Sequence, residues 1–128
     1  MRCLIVDDST VFLDAARRVL DSDDVDVVGV ASNSVEALRC YDELQPDVVL
    51  IDVELGPESG FDVVENLHRA AAPAPCPMIL ISTHAEEDFA EMTAASPAEG
   101  FLAKAALSPA AIRSVLRGSS GVQESKHR

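Results

Sequence analysis

Apolar residues fall along this 128-residue chain in two alternating patterns. Short continuous runs, Leu4-Ile5-Val6, Val48-Val49-Leu50-Ile51 and Met78-Ile79-Leu80-Ile81, read as strands covered on both faces, as in a parallel sheet. With two weaker runs they predict strands over residues 3–6, 25–31, 48–52, 78–82 and 100–103. The stretches between them follow a helical period. Phe12, Ala15, Ala16, Val19 and Leu20 fall at i, i+3, i+4, i+7 and i+8, one stripe on a first helix. Val35, Leu38 and Tyr41 predict the inner face of a second, capped by Asn33 or Ser34. A third helix follows Gly60 with Phe61, Val64 and Leu67/His68 inward, and a fourth follows His84 with only Phe89 and Met92 as apolar positions. Ser108 as N-cap and Pro109 at the first helical position open a fifth, which buries Ile112, Val115 and Leu116 and is expected to stop at Gly118.

Five βα units predict an α/β protein: an open, doubly wound, five-stranded parallel sheet of order 2-1-3-4-5, flavodoxin-like, with helices on both faces. One domain is expected over residues 1–118, with 119–128 as a polar, aperiodic tail. Pro73, Pro75 and Pro77 mark a turn before the fourth strand. No apolar run approaches the ~20 residues of a membrane helix, so no membrane partner is expected. The chain enters its first strand directly after Met1, so no leader is expected. Cys3, Cys40 and Cys76 are odd in number and far apart, and fit neither a disulfide framework nor a zinc spacing. They read as reduced thiols of a cytoplasmic protein.

Ten basic against 22 acidic residues give a formal charge of −12, which argues against direct nucleic-acid binding. Most of the acids read as solvated surface. Asp7, Asp8 and Asp52 do not. In a doubly wound sheet, function gathers at the carboxyl ends of the strands where their order reverses, here between strands one and three. Strand one ends in Asp7-Asp8 and strand three in Asp52, so three carboxylates converge on one crevice. Alone they would repel and take up protons. A hard divalent cation removes that repulsion, and oxygen-only ligands favour Mg²⁺ or Mn²⁺ over zinc. Each acid could instead cap a helix, Asp8 in particular, but helix capping does not explain three at two adjacent strand ends. Strand four adds the hydroxyl of Ser82 and strand five the ammonium of Lys104. Singly these would read as a cap and a surface cation.

Taken together, these residues resemble the receiver domain of bacterial two-component response regulators, over about residues 2–118. The matching motifs are Leu4-Ile5-Val6-Asp7-Asp8-Ser9, Val48-Val49-Leu50-Ile51-Asp52, Gly60 eight positions later, Ser82 thirty past the aspartate, and Phe101 three before Lys104. The resemblance implies that Asp52 is a nucleophile that takes a phosphoryl group from a phosphohistidine on a sensor histidine kinase or phosphotransfer protein. It implies Mg²⁺ held by Asp7, Asp8, Asp52 and the backbone carbonyl of Glu54. Lys104 and Ser82 would bind phosphoryl oxygens, and Ser82 with Phe101 would switch the surface of helix four, strand five and helix five. That face is also where a phosphorylation-dependent homodimer would form. Glu54 and His84 match the two positions that tune the lifetime of the phosphoryl group.

Some positions depart from the family pattern. A proline common four residues after the aspartate is displaced to Pro57, so the loop there is expected to take another path. Ala105 stands where many members have Pro, and Phe101 lacks the hydroxyl of the common Tyr. The stretch from Gly100 to Ser108 looks like receivers that precede a helix-turn-helix DNA-binding domain. The Met1 start and short tail favour a single-domain regulator over a chain cut before such an output domain. A flavin-binding electron carrier would need a phosphate cradle where two aspartates stand. A haloacid-dehalogenase-like phosphatase would have its two acids separated by one residue. The remaining alternative is a pseudo-receiver that binds protein without phosphorylation. Asp21 to Asp26 resembles a calcium loop but lacks its glycine and terminal glutamate, and His68 and His127 are isolated.

Overall fold

The three continuously apolar runs fill the middle of the sheet. In the computed structural model, which describes residues 1–22, 24–71 and 75–126, the strands are β1 (Arg2–Val6), β2 (Asp26–Ala31), β3 (Val48–Asp52), β4 (Met78–Ser82) and β5 (Gly100–Ala103). They form one parallel sheet of order β2-β1-β3-β4-β5, as expected. Helices α1 (Thr10–Leu20), α2 (Ser34–Leu44), α3 (Gly60–Ala70), α4 (Ala90–Ala95) and α5 (Pro109–Lys126) connect and follow the strands. Every residue of β3 and β4 is buried. Asp23, Pro73 and His127, singled out above, lie outside the described residues.

Side chains alternate across each strand, so the sheet divides two cores. Leu4, Val6, Val49, Ile51 and Leu80 pack with Ala37, Phe61, Val64 and Leu67. Cys3, Ile5, Val48, Leu50, Ile79 and Ile81 pack with Leu13, Ala16, Leu20 and Ile112. Burying one Leu or Ile contributes about 1.5–3 kcal/mol, so these layers dominate stability. The register pairs Val6 with Ile51, Asp52 with Ile81 and Ser82 with Ala103, which brings the strand ends level along one edge.

The structure corrects several helix faces. In α1 the buried residues are Leu13, Ala16 and Leu20, while Val19 is 52% exposed. The Phe12–Ala15–Val19 row therefore runs along the flank. In α2 it is Ala37 that faces the sheet, and Val35 is 73% exposed. A small residue lets the helix come close: a methyl at Gly29 would stand 2.6 Å from Leu44 Cδ1. Asn33 is the cap, accepting from the Glu36 N–H at 2.9 Å. In α3, Val63 is buried and His68 exposed.

The fourth helix is only six residues, follows a 3₁₀ turn over Glu86–Phe89, and buries none of its side chains. Ser108 caps α5 through the Ala111 N–H at 3.0 Å, but the helix does not stop at Gly118. A helical glycine costs about 1 kcal/mol relative to alanine, which weakens a helix without ending it. The loop after Asp52 closes as a two-residue hairpin, Glu54–Leu55 against Glu58–Ser59. Gly56, at φ 60°, takes the first central position of that turn, and the displaced Pro57 follows it.

Candidate functional site

Asp7 follows β1, Asp52 ends β3, Ser82 ends β4 and Lys104 follows β5. Asp7 is completely buried, its N–H donating to Ala31 O at 2.9 Å. Asp52 is 6% exposed and Asp8 faces solvent. Carboxylate oxygens of all three lie within 4.8 Å of one another, the one such acidic or metal-ligating group among the described residues. Lys104 Nζ sits 2.6 Å from Asp7 Oδ2 and 3.2 Å from Asp52 Oδ2. Three carboxylates against one ammonium leave the crevice with two uncompensated negative charges.

Those charges show in the proton affinities. Burial pushes the Asp52 carboxyl above its ordinary value; the Glu54 N–H, donating to Oδ1 at 3.2 Å, pulls the other way, and the Asp7 charge raises it further. Burial alone would lower Lys104, but the hydrogen bond and charge of Asp7, with those of Asp52, outweigh it and hold the ammonium above its usual value. Oxygen-only donors, closely spaced, with net negative charge and one exposed member, fit a hard divalent cation.

Gly60 allows this assembly. Its N–H donates to Val53 O at 2.7 Å, and a methyl on it would stand 2.0 Å from the Asp52 carbonyl oxygen. No side chain fits there, so α3 can begin against the end of β3 only at a glycine.

The other sequence-predicted residues form the opposite wall. Ser82 is buried; its hydroxyl accepts from the His84 N–H at 3.0 Å and lies 3.4 Å from His84 Nδ1. The Glu54 side chain meets His84 Nδ1 at 3.1 Å. Phe101 is buried, 6.1 Å from the ring of Phe89, which also contacts Phe61 at 6.2 Å and His84 at 6.0 Å. Phe89 thus joins the crevice wall to α3, a link that the sequence did not reveal. Also missed was Phe12, whose ring centroid lies 4.2 Å from Lys104 Nζ. Its position one helical turn past Asp8 was the available signal. A third missed contact ties the hairpin to α2: Glu58 accepts from both the N–H (2.9 Å) and the hydroxyl of Ser34.

Among the described residues, no helix is long and apolar enough to cross a membrane. The cysteines are free, and burial pushes the Cys3 thiol up to about 12, so it stays protonated and inert.

Comparison with known proteins agrees with this architecture. Residues 3–117 match the family described as response regulator receiver domain. An uncharacterized transcriptional regulatory protein of Bacillus subtilis is 32% identical over 105 residues, 81% of this chain and 52% of the relative. The chain thus spans about half the length of that relative, and 23% of a longer one. The signal receiver domain of the putative response regulator NarL from Mycobacterium tuberculosis superposes with a TM-score of 0.76 at 29% identity, covering 94% of this chain and 96% of that one. A response regulator from Burkholderia pseudomallei, solved with a phosphorylated aspartic acid, calcium ion and citrate, gives 0.77 at 24% identity, covering 98% and 72%.

Proposed function

Since the chain belongs to the response regulator receiver domain family, we propose that it is a two-component switch that accepts a phosphoryl group on Asp52. The donor is a phosphohistidine of a sensor histidine kinase or phosphotransfer protein in the cytoplasm. A carboxylate oxygen of Asp52 bonds to phosphorus as the N–P bond breaks, and the imidazole leaves with the electron pair. Asp7, Asp8, Asp52 and the Glu54 carbonyl would hold Mg²⁺, which supplies charge neutralisation for the carboxylates and the phosphoryl oxygens. Lys104 neutralises one phosphoryl oxygen and Ser82 donates to another. Phosphoryl transfer depends on this kind of positioning and charge compensation. The domain acts only on its own phosphorylation and dephosphorylation, so it is a switch and not an enzyme with a separate substrate.

The observation that carries this reading is a buried Asp52 with Lys104 Nζ at 3.2 Å and two further carboxylates within 4.8 Å. The acyl phosphate adds negative charge where Ser82 and His84 now satisfy each other. Ser82 turns toward it, Phe101 repacks, and the α4–β5–α5 surface changes for a dimer partner, a downstream protein or a DNA-binding output domain. Glu54 and His84 border the attacking water's path and set the lifetime of the phosphorylated form.

Intact mass after incubation with acetyl phosphate tests the reading. One phosphoryl adduct is expected with Mg²⁺, and none with chelator. A folded protein that gains no adduct would establish a phosphorylation-independent pseudo-receiver in its place.

A further inference from the structure

Lys104 is held from three sides, and only two of them are carboxylates. The third is the ring of Phe12, with its centroid 4.2 Å from Nζ, within reach of a cation–π contact. The ring is tied back to the acids. The Ser9 N–H donates to Asp7 Oδ1 at 2.8 Å, the Phe12 N–H donates to Ser9 Oγ at 3.2 Å, and Lys104 closes the circuit on Asp7 Oδ2 at 2.6 Å. Asp7, Ser9, Phe12 and Lys104 therefore form one ring of contacts in which the phenyl face is the apolar member.

We propose that Phe12 is a positioning residue for phosphoryl transfer, holding the Lys104 ammonium over the crevice while its carboxylate partners change. This rests on the assignment of Asp52 as phosphoacceptor. In the resting site Lys104 Nζ lies 3.2 Å from Asp52 Oδ2. Phosphorylation turns Asp52 into an acyl phosphate, so that ion pair must be exchanged for one to a phosphoryl oxygen. A cation drawn to Asp7 and Asp52 weakens both pairs further. The ring competes for neither and keeps its attraction throughout, because its quadrupole binds only the ammonium. A cation–π contact also has little directional demand, so Nζ can slide from a carboxylate to a phosphoryl oxygen without leaving it. Phe12 is suited to this because it stands on the flank of α1 and borders the groove that Ala15, Val19 and Leu107 also line. It is not among the buried residues of α1.

The test removes the π face of residue 12 in one variant and grades it, at nearly constant shape, in the others. Phe12→Leu, Phe12→Tyr and a series with mono-, di- and trifluorinated phenylalanine at position 12 are compared in the full chain. The readouts are the rate of adduct formation from acetyl phosphate at saturating Mg²⁺, in which a carboxylate oxygen attacks phosphorus and acetate leaves, the Mg²⁺ affinity, and the NMR shifts of the Lys104 side chain. Phe12→Leu is expected to slow the adduct by about three- to thirtyfold. Mg²⁺ affinity should stay within twofold, and the ring-current shift of Lys104 should vanish. Phe12→Tyr should recover most of the rate, and the fluorinated series should fall step by step with the quadrupole. A Leu variant that labels at the wild-type rate, while Asp52→Asn does not label, would overturn the role of Phe12 and leave the phosphoacceptor assignment standing. A flat fluorine series would overturn it too, by showing that only apolar volume matters. No adduct on the folded wild type would overturn both.

Discussion

The two walls of the crevice are built to different standards. On one side, α1 carries a Ser9 cap, buries Leu13, Ala16 and Leu20, and meets Lys104 through Phe12. Asp7 and Lys104 beside it are tied to each other, and Asp7 also to the Ser9 N–H that opens that helix. On the other side, the 3₁₀ turn over Glu86–Phe89 and α4 have no side-chain cap and no buried residue, and both reach the core through the half-buried Phe89. Opening free energy follows buried contact, so the first wall holds the charges still while the second moves at small cost. A switch needs both: fixed charges to make the chemistry specific, and a loosely held element to report it.

The largest expected effect comes from cutting into the firm wall. Leu20→Ala should cost about 2–5 kcal/mol in urea unfolding, whereas Met92→Ala on α4 should stay within about 0.5 kcal/mol. Equal costs would remove the contrast. Next comes Lys104→Ala, which strips the buried Asp7 of its partner. It should cost about 1–3 kcal/mol without metal, less than a fully buried pair because Lys104 is partly exposed. Mg²⁺ should restore part of that loss; a variant unaffected by Mg²⁺ would separate the metal site from the three acids. Native-state hydrogen exchange should then find the amides of α4 less protected than those of α1 by at least ~10-fold.

The smallest effect lies at the hairpin. Hydrogen bonds from the hydroxyl and N–H of Ser34 hold the Glu58 carboxyl below its ordinary value. Its contribution is therefore present above the unfolded glutamate pKa and is lost as pH falls through the lower folded value. Glu58→Gln should flatten the stability profile across that acid window, lowering stability slightly at neutral pH and leaving it nearly unchanged below the folded value.

How much of this was legible in the sequence depended on the range of the interaction. The strands were readable because their apolar runs are continuous, and the acids because each stands at the end of such a run. Helix faces were less so. In α1 an apolar row from Phe12 to Val19 competes with the buried row of Leu13, Ala16 and Leu20, and periodicity alone does not choose between them. In α2 the core position belongs to Ala37, and the helix lies close enough to the sheet that a methyl on Gly29 would meet Leu44, a fit that periodicity does not show. The hairpin was hidden because Gly56-Pro57 marks a turn without saying what pairs across it. Contacts between distant segments are harder still: Phe89 with Phe101 has no local signature, and Phe12 with Lys104 has only the spacing of Phe12 from Asp8.

Where the phosphoryl group lands is the most direct test of the account. After incubation with acetyl phosphate and Mg²⁺, borohydride reduction converts an aspartyl phosphate to homoserine, which peptide mass mapping locates. Homoserine at position 52, absent with chelator, is the result expected. Homoserine at another acid, or a phosphoryl group on a residue that borohydride does not reduce, would contradict the assignment of Asp52 and of the crevice built around it.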